Sequence, residues 1–159
     1  MVEASSFDLD EIATALADQN DYDRRWLVDP KTGEIAFWTS DGGLDGDHPI
    51  SLDEIDDLDL IPIDPLPSSV WYRDMVDFAG LVSDERAARR LERALHGKGA
   101  FRRFKDVLYQ DHEDLVPSWR AFNEARATRR AIDWLADNGL VDAGTAADLR
   151  ANHPDPLVP

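Results

Sequence analysis

An α+β fold is predicted by two changes that fall together in the middle of the chain. Before about residue 64 the apolar residues alternate in short strand-like runs; from Ser68 they recur at helical spacing. The charge balance shifts at the same place. Residues 1–64 hold three basic residues against 18 acidic ones, whereas residues 65–159 hold 14 against 15. A sheet of about three antiparallel strands cannot bury its own face, so it is expected to pack with a C-terminal bundle of about four helices. The expected organisation is one domain over residues 1–151, with a sheet-containing part over about 1–64 and a helical part over about 68–151. A proline-rich tail, 152–159, is expected to fray.

The first element is a helix within Phe7 to Gln19. Asp8 is its predicted N-cap, Glu11 completes a capping-box pattern, and Leu9, Ile12, Ala13 and Leu16 form the apolar face. Arg25–Val28 and Glu34–Trp38 flank Asp29-Pro30-Lys31-Thr32-Gly33, which predicts a β-hairpin with Trp26 and Trp38 as cross-strand neighbours. Ser40 to Pro49 carries three Gly, three Asp and His48 and reads as a loop. A helical turn is expected at Ser51–Ile55. A third strand is expected within Leu58–Ile63, and Pro62 assigns it to a sheet edge or marks its end.

In the helical part, Ser68 or Ser69 is expected to cap a helix that buries Trp71, Met75, Phe78, Ala79 and Val82. Ser83 or Asp84 starts the next, with Ala87, Ala88, Leu91, Ala94 and Leu95 inward and Gly97 as the residue just past its cap. A third begins near Gly99 and turns Ala100, Phe101, Phe104, Val107 and Leu108 inward. The longest runs from about Pro117 to Asn138, with Gly139 after its end, and a short helix is expected within 142–151. Trp71, Trp119 and Trp134 are expected to anchor helix packing.

Composition narrows the chemistry. The chain has 159 residues, a formal net charge of -16 and no cysteine, which excludes disulfides, thiolate metal sites and a cysteine nucleophile. No run approaches about 20 apolar residues, and Met1 to Asp10 lacks the basic and apolar regions of a signal peptide. A cytoplasmic protein without a membrane association is expected. Such acidity disfavours non-specific coating of nucleic acid, yet it leaves room for a local site.

The most informative run is His96-Gly97-Lys98-Gly99-Ala100-Phe101-Arg102-Arg103-Phe104-Lys105. The window 86–105 holds eight bases and one acid, Glu92. Gly97 and Gly99 predict a sharp hinge between two helices, with Lys98, Arg102 and Arg103 beside the unpaired amides at the start of the second. Arg86, Arg90 and Arg93 form a stripe on the first. The candidate anion or partner site is therefore Lys98, Gly99, Arg102, Arg103, Arg90 and Arg93. At least one of Lys98, Arg102 and Arg103 is expected to be paired internally. Gly-Lys-Gly here is not a nucleotide-binding P-loop, which continues into Lys-Ser/Thr after a longer glycine spacing. Asp111-His112-Glu113-Asp114 lacks the spacing of a metal site, so no metal and no cofactor is expected.

The hinge, together with Trp71-Tyr72-Arg73-Asp74-Met75-Val76-Asp77-Phe78, Trp119 and Ala131-Ile132-Asp133-Trp134-Leu135, resembles UPF0158, an uncharacterised bacterial family. The hairpin with Asp29 and Thr32-Gly33-Glu34, and the Ile61-Pro62 segment, are similar to the family pattern as well. The likeness spans roughly residues 8–140. It implies a bacterial cytosolic protein and brings no catalytic residues with it.

The leading expectation is a binding or regulatory module that holds a phosphate-containing ligand or an acidic protein segment on this basic helical hairpin. A small hydrolase or nucleotide-modifying enzyme is the alternative, with Asp74, Asp77 or Asp106 facing the cations. A third reading is structural, with the stripe consumed by Asp53, Asp56, Asp57 and Asp59.

Overall fold

The structure is a computed structural model that describes residues 2–18, 24–44, 54 and 58–159. His48, Asp53, Asp56, Asp57 and the turn expected at 51–55, apart from Glu54, lie outside the described residues. Among the described residues the fold is α+β: a four-stranded antiparallel sheet and six α-helices. No described helix is long and apolar enough to cross a membrane. Contacts divide the chain into two compact units, one of residues 1–66 and 128–152, the other of residues 67–127 and 153–159. The boundary thus differs from the charge boundary, because residues 128–152 group with the sheet.

In the first unit, helix α1 (Leu9–Ala17) starts as its sequence dictates, with the Glu11 amide donating to the Asp8 carboxylate at 3.1 Å. Strands β1 (Arg24–Val28) and β2 (Ile35–Thr39) pair through the Asp29–Glu34 turn. There the Gly33 amide donates to the Asp29 carbonyl at 2.7 Å, and Gly33 takes φ 82°. Strand β4 (Ile61–Ile63) lies on the other side of β1, at a sheet edge, where Pro62 sacrifices no interior ladder bond. The opposite edge is β3 (Gly43–Leu44), a two-residue strand paired with β2 inside the segment expected to be loop. Two residues are too few to carry an alternation signal.

Register corrects one pairing. Trp26 faces Phe37, with ring centroids 4.7 Å apart, while Trp38 faces Arg25. Side chains alternate between faces, so the one-residue offset sends Trp26 and Trp38 to opposite sides of the sheet. Trp26, Val28, Ile35, Ile61 and Ile63 join the larger core with Ile12 and Leu16 of α1 and Ile132 and Leu135. Leu27 and Trp38 form a smaller cluster on the other face. Helix α6 (Ala143–Ala151) completes this unit. Its cap, Asp142, accepts from the Thr145 amide at 2.7 Å, which holds that carboxyl below the usual carboxylate range.

The second unit contains helices α2 (Ser68–Leu81), α3 (Glu85–Ala94) and α4 (Ala100–Asp111). Helix α5 (Val116–Asp137) supplies its residues 116–127 to this unit and the remainder to the first. Phe78, Phe104, Trp119 and Phe122 interlock at centroid distances of 5.0–6.4 Å, so the core of the unit is aromatic. Helix α2 begins without a side-chain cap, since Pro67 occupies the position expected for Ser68 or Ser69. Asp84 caps α3 as predicted by accepting from the Arg86 and Ala87 amides.

The tail is held against this unit instead of fraying. The Ser83 amide donates to the Pro159 carbonyl at 3.0 Å, and Val158 packs on the core. Arg126 forms the main tether. It donates through Nε and Nη2 to the two oxygens of Asp155, both at 3.1 Å, and through Nη1 to Asp77 at 2.8 Å and Asp74 at 3.5 Å. Its guanidinium also lies 4.6 Å from the Phe122 ring centroid. The bond to Asp155 and then that to Asp77 raise the Arg126 pKa further, against the effect of burial, so the group stays cationic. Asp74 is fully buried, and this cation offsets the cost of burying its charge.

Substitutions at three positions test this account by urea denaturation. Gly33→Ala destabilises by about 1 kcal/mol or more, because φ is positive and the new Cβ would meet the Ser6 carbonyl oxygen at 2.5 Å. Gly80→Ala, in α2 with no atom near its Cβ position, stabilises by up to about 1 kcal/mol. Arg126→Ala lowers stability by about 2 kcal/mol or more by removing the cation that Asp74, Asp77 and Asp155 share, and Arg126→Lys recovers only part of it because a lysine cannot grip Asp155 with a fork. Equal stability of Arg126→Ala and wild type would show that the network contributes nothing.

Candidate functional site

The hinge between α3 and α4 is built by backbone geometry and one arginine. Helix α3 ends at the Leu95 cap. Gly97, expected immediately after the cap, sits one residue later with φ 79°, and Gly99 caps α4 with φ 78°. Both values lie in the left-handed region that glycine enters without a Cβ penalty. Between them the end of α3 exposes carbonyls, which a helix terminus must satisfy from outside.

Arg103, one turn into α4, reaches back to do so. Its Nε donates to the Ala94 carbonyl at 3.1 Å, its Nη2 to the carbonyl of His96 and its Nη1 to that of Lys98. A cation at a helix C-terminus also complements the dipole. A Cβ on Gly99 would lie 3.3 Å from Arg103 Nη1, so the glycine leaves room for the arginine as well as for the turn. Tyr72 of α2 adds a bond from its hydroxyl to the Leu95 carbonyl at 2.8 Å. Arg103, expected among the main ligand contacts, is thus committed to the hinge.

The other site residues separate in the same way. Arg90 donates to Asp111 at 2.5 Å, which ties α3 to the far end of α4. Arg102 is 90% exposed and sees Asp106 at 3.9 Å, a solvated pair of little energy. Lys98 and Arg93 are exposed, and neither forms an ion pair with another described residue, nor does Lys105. Arg90, Arg93, Ala94, Arg103, Asp106 and Val107 line a groove of about 330 Å³ between the two helices. The six predicted residues therefore lie on one hairpin, but only Arg93, Lys98 and Arg102 keep cationic heads available.

Three expectations are corrected. Phe101, expected to point inward with Phe104, is 39% exposed, whereas Phe104 is fully buried. The buried line of α4 runs through Ala100, Phe104 and Leu108, and Phe101 stands at its margin. Asp74 and Asp77 face Arg126 rather than the hinge cations. Asp59, offered as a partner for the stripe, pairs with Lys31 at 3.8 Å. Sequence reading did not single out Arg126, whose partners lie 29 to 52 residues away. It also passed over Tyr109, which is 42% exposed with the Arg120 guanidinium 5.9 Å from its ring centroid.

Arg103→Ala is expected to cost about 1–2 kcal/mol, given its exposure. Arg103→Lys loses most of that as well, since an ammonium cannot span three carbonyls. Chemical denaturation with amide exchange of residues 95–100 checks this; a fully stable Arg103→Ala protein with unchanged exchange at the hinge would refute the bracing role.

The curated proteins include a UPF0158 protein of Pseudomonas aeruginosa that is 32% identical over 84 residues, covering 53% of this chain and 54% of the relative. The aligned part therefore spans about half the length of that relative. No solved structure matches the chain. Residues 3–152, from before α1 to the end of α6, match the profile of the Uncharacterised protein family (UPF0158), and the chain belongs to that family.

Proposed function

We propose that the chain is a cytosolic binding or regulatory module that holds an anionic partner on the α3–α4 hairpin. One observation carries the reading. After Arg90 and Arg103 are assigned to internal partners, Arg93, Lys98 and Lys105 still make no ion pair with a described residue, and Arg102 makes only a long solvated one. In a chain of net charge -16, four such cations on one hairpin form a local field opposite in sign to the whole. The hinge supports the reading, because the three carbonyls that Arg103 braces hold the cations' spacing before any partner arrives.

The enzyme alternative has less support, since two of the three acids it would use, Asp74 and Asp77, are engaged with Arg126, and only Asp106 lines the groove beside the cations. Among the described residues, internal pairing accounts for Arg90 and Arg103 and gives Arg93, Lys98 and Lys105 no ion pair and Arg102 only a long one.

Titration with inorganic polyphosphate, polyglutamate and oligonucleotides at low and moderate salt tests the proposal. At least one of these polyanions is expected to bind, with affinity falling as salt rises. Lys98→Ala and Arg102→Ala each weaken it several-fold, while the folded state survives because both side chains are exposed. Absence of binding by every polyanion, or binding unchanged by both substitutions, contradicts the proposal.

A further inference from the structure

The cations of the hairpin share their surface with two rings that the fold leaves in water. Phe101 and Tyr109 are two turns apart on α4, at i and i+8, and are 39% and 42% exposed. Lys105 lies between them at i+4, on the same stripe. Arg102 borders that stripe and Lys98 precedes it, while Arg120 stands against the Tyr109 ring. Lys98, Arg102, Lys105 and Arg120 thus lie on or beside the stretch that carries the two rings, and Asp106, 3.9 Å from Arg102, is the carboxylate paired with one of them.

We infer that this face of α4 binds single-stranded nucleic acid, with bases stacked on Phe101 and Tyr109 and phosphates held by the four cations. The inference rests on the anion-binding reading of the same hairpin and names its partner. The chemistry distinguishes this partner from other polyanions. A duplex keeps its bases paired and offers no free π-face to a ring, and an acidic peptide has carboxylates for the cations but nothing that requires two flat aromatic surfaces. A single strand supplies both, and stacking with electrostatic tracking is how sequence-tolerant single-strand sites work. The rings lie about 12 Å apart along the helix axis, a distance that about four stacked nucleotides cover. Acidity elsewhere in the chain confines the strand to this face, so few phosphates are neutralised. Four contacts predict a slope of log affinity against log salt of about -3.

The experiment is fluorescence anisotropy of the full chain with labelled oligothymidylate and oligouridylate of about twelve nucleotides, against a duplex of the same length and against polyglutamate. Single strands are expected to bind at least about tenfold more tightly than either competitor. Phe101→Leu, which keeps the apolar contact at the core margin but removes the ring, weakens single strands about fivefold or more, and so does Tyr109→Ala. Circular dichroism and urea midpoints confirm that these variants fold, and Phe101→Tyr restores binding. Duplex or polyglutamate binding as tight as the single strands, or ring variants that bind like wild type, overturns the inference and leaves general anion binding standing. Failure of every polyanion overturns both.

Discussion

The guanidinium of Arg103 is the contact on which the α3–α4 hairpin depends. It closes the carbonyls of Ala94, His96 and Lys98 at the end of α3 while belonging to the first turn of α4. Two glycines with positive φ let the chain turn tightly enough for that reach. One charged group therefore satisfies a helix terminus, fixes a hinge and sets the direction in which α4 leaves it. The remaining cations owe their positions to this brace.

From that constraint follows a division among side chains of the same type. Arg90 and Arg103 are spent on geometry, Arg126 on gathering Asp74, Asp77 and Asp155, and Arg150 on Asp133, while Arg93 and Arg102 keep exposed heads. The two sides of α4 differ accordingly. Toward α3 it contributes Arg103, Asp106 and Val107 to a groove; on another side it carries Phe101, Lys105 and Tyr109 outward. The basic run of this acidic chain is thus only partly consumed by pairing with the described residues.

What could be read without coordinates was local in origin. Asp8 and Asp84 as caps, Gly97 and Gly99 as a hinge, and Phe104 and Phe122 as core each depend on neighbours within about one helical turn. Three features depended on distant partners and stayed hidden. Phe101 has helical core spacing, but its exposure is decided by which neighbours cover α4. Trp26 and Trp38 are both apolar strand residues, and a one-residue offset in register puts them on opposite faces. Arg126 looks like any surface arginine until α2 and the tail bring three carboxylates to it. The candidate site was legible as a segment, whereas its split into bracing and available cations was not.

The most direct test follows the arginine side chains themselves. In a protein labelled with nitrogen-15, the Nε–H resonances of Arg102 and Arg103 are recorded during titration with single-stranded oligothymidylate. The account predicts that Arg102 shifts progressively with ligand, while Arg103 keeps its position and its slow exchange because it remains bonded to the end of α3. A titration in which Arg103 moves as far as Arg102, or in which Arg102 does not respond, contradicts the separation of brace from binding surface.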